Sequence, residues 1–178
     1  MTITTNDDNP LLQPWAAPWG LPPFGAVRPE HFEPAFDAAM REHRDELAAI
    51  GAQTAPPTFD DTLAALDRSG RRLDRIASVF HNLAASATDE ALQAVQRRVA
   101  APLAAHHSAI YMDPALFARV DALHRERDAI GLTDEQRRLL ERVHMDFVRA
   151  GARLTGPARD RYASIVQELA ALTTQFAQ

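Results

Sequence analysis

Thr58-Phe59-Asp60-Asp61-Thr62-Leu63-Ala64-Ala65-Leu66-Asp67-Arg68-Ser69-Gly70-Arg71-Arg72-Leu73-Asp74-Arg75-Ile76-Ala77-Ser78-Val79-Phe80 is the stretch that decides the fold class. Phe59, Leu63, Leu66, Leu73, Ile76 and Phe80, continued by Leu83 and Ala87, recur every three or four residues. That spacing matches the 3.6-residue turn of a helix with one apolar face. Thr58 to Asp61 has a capping-box pattern: the threonine hydroxyl can accept from the amide three residues on, and the acids favour the positive end of the helix dipole. Gly70 falls in a gap of the same stripe. A glycine inside a helix costs about 1 kcal/mol against alanine, and a close helix–helix crossing would account for it.

The same period extends in both directions. Upstream, a helix opens near Pro29 or Glu30 with Phe32, Phe36, Ala39, His43, Leu47 and Ile50 on one face, and closes at Gly51. Pro34 fits only in its first turn. Downstream, Thr88 or Asp89 opens a third helix with Leu92, Val95, Val99, Leu103, His106 and Ile110 in phase, and Pro102 is expected to kink it. Asp113-Pro114 caps a fourth helix through Leu116, Phe117, Val120, Leu123 and Ile130 to Gly131. Thr133 to Gln136 is a second capping box, before a fifth helix with Leu139, Leu140, Val143, Phe147, Val148 and Leu154. Thr155-Gly156-Pro157 makes the last break. The sixth helix carries Tyr162, Ile165, Leu169, Leu172 and Phe176 and reaches Gln178 without a stop signal. The natural chain is therefore expected to continue. No segment alternates with period two, so no sheet is expected.

Residues 1–28 read differently. Pro10, Pro14, Pro18, Pro22 and Pro23, with Pro29 just beyond, exclude a regular helix or central strand. The stretch is expected to be an extended arm, packed through Leu11, Leu12, Trp15, Trp19, Leu21 and Phe24, since a disordered tail rarely carries such residues. The expected architecture is thus all-α: an arm over 1–28, then an antiparallel bundle or hairpin array of about six helices over 29–178.

Composition narrows the function. At 178 residues the chain can bury roughly 70% of its unfolded surface, enough for a real core. There is no cysteine, which excludes disulfides, thiolate metal sites and a cysteine nucleophile. A net charge of −5 gives no electrostatic reason to expect nucleic acid or an anionic membrane as partner. No stretch approaches the roughly 20 apolar residues of a membrane span, and the opening residues lack a signal-peptide pattern. A cytoplasmic setting is the default.

No complete catalytic or metal-binding motif is present. A zinc peptidase helix needs His-Glu-x-x-His, because histidines four apart share a face and the glutamate activates bound water. Glu42-His43-Arg44-Asp45-Glu46 has one histidine and reads as an exposed charged face. Dimetal bundles use Glu-x-x-His from facing helices. Glu141-Arg142-Val143-His144 fits one unit and Asp121-Ala122-Leu123-His124 is an imperfect second, but surface or boundary positions are the simpler reading. His106 and His107 point about 100° apart on a helix and cannot share a metal. His106, on the apolar stripe, reads as a hydrogen-bonded core histidine. Ser69, Ser78, Ser86, Ser108 and Ser164 lie inside expected helices, whose amides cannot form an oxyanion hole. Arg71-Arg72, Arg97-Arg98 and Arg137-Arg138 alternate with acids as solvated faces.

The segments Asn9-Pro10-Leu11-Leu12, Trp19, Pro22-Pro23-Phe24 and Arg28-Pro29-Glu30-His31-Phe32-Glu33-Pro34-Ala35-Phe36 resemble the opening of the thimet oligopeptidase family. Thr58-Phe59-Asp60-Asp61-Thr62, Ala65-Leu66-Asp67-Arg68-Ser69-Gly70 and Val79-Phe80 continue the likeness. Leu116 to Leu123, Phe147 to Leu154 and Leu172-Thr173-Thr174-Gln175-Phe176 look most like its bacterial peptidyl-dipeptidase branch, with the oligopeptidase A branch next. The resemblance implies a longer, all-helical, two-lobed zinc enzyme built around a deep channel. Its zinc ligands would lie in the C-terminal lobe, so no catalytic or metal residue carries over to this chain. It further implies short peptides as substrates, removal of C-terminal dipeptides, and a channel-wall and scaffold role for this region, inert by itself. A stand-alone helical module that binds a peptide or partner helix is the competing reading.

Overall fold

The computed structural model describes residues 8–16 and 18–176. The polar opening residues 1–7 and positions 177 and 178, where the final helix is expected to end, lie outside the described residues. The architecture is an all-α helical array, with no strand among the described residues. Its long helices are α1 (Phe32–Gly51), α3 (Arg71–Ser86), α4 (Glu90–Tyr111), α5 (Pro114–Glu126), α6 (Asp134–Arg149) and α7 (Gly156–Phe176). A π-helical turn, Phe59–Leu63, and the short α2, Ala64–Arg68, lie between α1 and α3.

Local chemistry sets most of the boundaries. The side chains of Thr58, Asp89, Asp113 and Thr133 each accept from an amide in the first turn of the helix that follows. Thr58 and Thr133 complete capping boxes with Asp61 and Gln136. A 3-10 turn, Pro29–His31, leads into α1 and leaves Pro34 in its first turn. α4 continues through Pro102 as one helix.

Three expected boundaries are corrected. The second helix is not continuous: Ser69 is extended (ψ 157) and Gly70 is left-handed (φ 71), so the chain turns a corner between α2 and α3. α5 stops at Glu126, before the turn that ends at Gly131 (φ 69). Leu154 lies outside α6, which ends at Arg149.

α1 is the hub, packing against α3, α4 and α5. Its first half enters one apolar core with Leu11, Leu73, Ile76, Phe80, Val95 and Val99. There Phe80 meets Phe32 and Phe36 edge-on, with ring centroids 5.0 and 5.5 Å away. Its second half, Leu47 and Ile50, enters another core with Leu63, Leu116, Val120, Leu140 and Phe147. The arm is pinned at its base. The Asn9 side chain donates to the His31 carbonyl (2.8 Å) and accepts from the Leu11 amide (3.0 Å), and Leu11 is fully buried. Trp15 lies under the Arg75 guanidinium, 4.3 Å from the ring centroid. Farther along, Trp19 (96% exposed, φ 65), Leu21 and Phe24 face solvent.

Arg119 ties α5 to the turn that begins α2. Its buried guanidinium donates to the Thr62 hydroxyl (3.2 Å), the Gln53 carbonyl (3.0 Å), the Ala55 carbonyl (3.2 Å), Gln53 Oε1 (3.1 Å) and Asp61 Oδ1 (2.7 Å). Burial pushes the Asp61 carboxyl up. The hydrogen bonds from Thr58, Thr62 and Arg119 outweigh it and hold Asp61 well below the usual carboxylate range. Removing one side of a buried charge network strands the other. Arg119→Leu is expected to cost about 3 kcal/mol in urea unfolding, and a loss under about 1 kcal/mol would show that the network holds nothing.

Candidate functional site

Where the two cores meet on α1, the chain places polar groups. His43 projects toward α4 and toward the corner at Ser69 and Gly70. The Gly70 amide donates to Glu46 Oε2 (2.7 Å), which fastens the corner to α1. A Cβ at Gly70 would lie 2.7 Å from His43 Cε1, so the approach requires glycine twice over, for its left-handed backbone and for its missing side chain.

The proton order in this seam follows from its partners. The Ser69 hydroxyl donates to the Leu66 carbonyl (2.7 Å), so its oxygen accepts from His43 Nε2–H (3.1 Å). That leaves His43 Nδ1 bare to accept from His106 Nε2–H (3.1 Å). His106 Nδ1 is then unprotonated and buried, without a partner among the described residues. Burial, with the neighbouring His43, Arg44 and His107, pushes the His106 imidazole down to about 4. Burial also lowers His43, against the opposing pull of Glu46 and Asp74. A second proton in the pair would bury a cation, so burial favours the neutral form of both rings.

Ser69 is therefore not inside a helix as expected, yet it is no nucleophile. Its proton lies on a carbonyl rather than on a histidine, and the adjacent Gly70 amide is already taken by Glu46. The seam borders a cavity of about 290 Å³. Leu47, Leu63, Leu66, Val143 and Phe147 form its apolar wall, and Asp67, Asp74, His107 and Tyr111 add polar edges. Burial raises the Tyr111 phenol, helped by Asp146, so the hydroxyl stays protonated.

The sequence-paired units on α5 and α6 do come together. His144 is buried, a correction to its expected surface or boundary position, and its Nε2 meets Asp121 Oδ1 at 2.9 Å. The His124 and His144 rings stack face to face, with centroids 3.9 Å apart and planes 6° from parallel. Parallel rings carry their nitrogen lone pairs in parallel planes, so these two do not converge on one ion. No group of three or more His, Asp or Glu among the described residues could hold a metal. The described residues do not fit a zinc centre.

Two outcomes test the seam. Above pH 6.5 the folded and unfolded chains are both neutral at His106. Between 6.5 and about 4 only the unfolded chain takes up the proton, so stability falls as pH falls through that window. The loss is expected to reach about 3 kcal/mol, and His106→Leu should flatten most of it in thermal melts at stepped pH; an unchanged slope would exonerate the seam. The lowered carboxylates Asp61 and Asp121 add their loss only at lower pH. Gly70→Ala should destabilise by at least about 1–3 kcal/mol from backbone strain alone, and a neutral effect in denaturant melts would rule out the tight corner.

Comparison with known proteins places this site in a larger context. No family model matches the chain. Over 170 residues, 96% of this chain, it is 41% identical to the dipeptidyl carboxypeptidase of Salmonella typhimurium and 39% identical to that of Escherichia coli. Over 168 residues it is 26% identical to oligopeptidase A of Escherichia coli. The chain spans about a quarter of the length of these curated relatives (25%, 25% and 24%). It is a homologue of the bacterial dipeptidyl carboxypeptidases and, at greater distance, of oligopeptidase A, matching the N-terminal quarter of those longer proteins.

Proposed function

We propose that this chain is the N-terminal helical region of a zinc-dependent peptidyl-dipeptidase, an enzyme that removes dipeptides from the C-termini of short peptides in the cytoplasm. In this reading it forms part of the wall of the substrate channel and the scaffold for a C-terminal catalytic lobe. The zinc ligands belong to that lobe, and these 178 residues alone hydrolyse nothing.

The observation that carries the proposal is the identity of 39–41% spread over 96% of the chain. One structural feature supports it. α7 carries Ile165, Leu169, Leu172 and Phe176 in a 4-3-4 spacing, all exposed. That is the seam spacing of a helix that packs on another helix, and it suits a surface covered by further polypeptide of the parent. The same stripe is what a stand-alone interaction module would need. The identity over 96% of the chain favours the peptidase. Among the described residues no helix is long and apolar enough to cross a membrane.

The test is expression of the complete reading frame beside the 178-residue chain. The full protein should release C-terminal dipeptides from unstructured peptides by mass spectrometry, lose that activity to a chelator and regain it with zinc. The short chain should release none. Intact peptides with the full protein, or dipeptide release by the short chain, would overturn the proposal.

A further inference from the structure

We propose that the 290 Å³ cavity is a peptide subsite that takes a large apolar side chain carrying a positive charge within one residue of it. The inference rests on the peptide-substrate reading above and adds what part of a peptide this region recognises.

The cavity's size is that of one large side chain rather than of an extended ligand. Its walls come from five separate elements. Leu47 belongs to α1, Leu63 and Leu66 to the π turn and α2, Ile110 to α4, and Val143 and Phe147 to α6. Leu47, Leu63 and Phe147 are themselves buried core residues, so the wall is held by packing. Leu139, 40% exposed, adds an apolar residue that solvent still reaches. Such a surface favours an aliphatic or aromatic side chain over water.

The carboxylates are the formally charged groups in the described lining. Asp67 and Asp74 are exposed carboxylates, and among the described residues no arginine or lysine lines the cavity. Neither carboxylate enters an ion pair among the described residues. His43 cannot serve as their cation, because its ring is committed to Ser69 and His106 and kept neutral. An apolar hole edged by two unpaired carboxylates is complementary to an apolar group with a nearby cation. A peptide offers that chemistry in two ways: the free α-ammonium of an N-terminal Phe or Leu, or a Lys or Arg beside such a residue.

Three tripeptide amides separate these sources when titrated into the 178-residue chain by heteronuclear NMR. They are Phe-Ala-Ala with a free amine, N-acetyl-Phe-Ala-Ala, and N-acetyl-Phe-Lys-Ala. At least one cationic peptide should shift the amides of Leu66, Tyr111 and Val143, and should bind about fivefold more tightly than the neutral one. The cationic peptide that gains identifies the source of the charge. Asp67→Asn with Asp74→Asn, both at exposed positions, should erase that gain and leave neutral binding unchanged. Leu66→Trp should fill the cavity and abolish all three, with its helical circular dichroism confirming that it folds.

Absence of binding, equal binding of neutral and cationic peptides, or a gain that survives the double asparagine variant would each overturn the subsite. A full-length protein that releases dipeptides while this cavity binds nothing would sink the subsite alone. Binding here by a parent that cleaves no peptide would sink the peptidase reading alone.

Discussion

The contact between Gly70 and the ring of His43 is the constraint on which the rest of the structure depends. α1 has to serve two apolar cores along its length, and the chain from Thr58 to Ser86 has to supply both. One straight helix over that span could not lie along both halves of α1 while its own start is held by Arg119. The left-handed backbone at Gly70 breaks the helix, and the missing side chain lets the break sit against α1. Glu46 then takes the Gly70 amide, so the corner leaves no donor orphaned.

That corner also explains why polar residues stand in the middle of the array. At the junction of two cores neither can extend its packing, and His43, Ser69 and His106 fill the gap with a directional chain of hydrogen bonds. The chain has a definite proton order, and it stops at a bare Nδ1. A buried acceptor without a partner costs free energy, yet protonating it would cost more, because the cation would be buried too. The seam is thus stable in one protonation state, which is why its response to acid has a sign.

What the sequence made legible was what is local. Thr58, Asp89, Asp113 and Thr133 cap helices through amides two or three residues away, and their patterns are readable within a few positions. The stripe of α1 and the burial of His106 follow from a period. The break at Gly70 left a trace, the gap in the stripe, but not its backbone sign, which depends on a helix 24 residues earlier. Arg119 left no trace: its partners lie 57 to 66 residues away, and on α5 it looks like any helix arginine. The pairing of His124 with His144 was visible as two similar motifs, but their chemistry was not. Only the parallel rings show that the pair is a packed stack rather than a ligand set.

The site has the character of a structural element because its reactive-looking groups are spent on one another. A nucleophilic serine needs its proton aimed at a base, and Ser69 aims it at Leu66. An oxyanion hole needs spare amides, and the amide at the corner is held by a carboxylate. A metal site needs converging lone pairs, and the stacked imidazoles diverge from any common point. Groups satisfied in this way define a shape and hold it. Under the proposed function such a shape would serve as one wall of a channel, with bond cleavage left to the lobe that would face it. The carboxylates of Asp67 and Asp74 beside the cavity are not spent in this way, and they, rather than the histidines, are the groups that the proposed subsite would use.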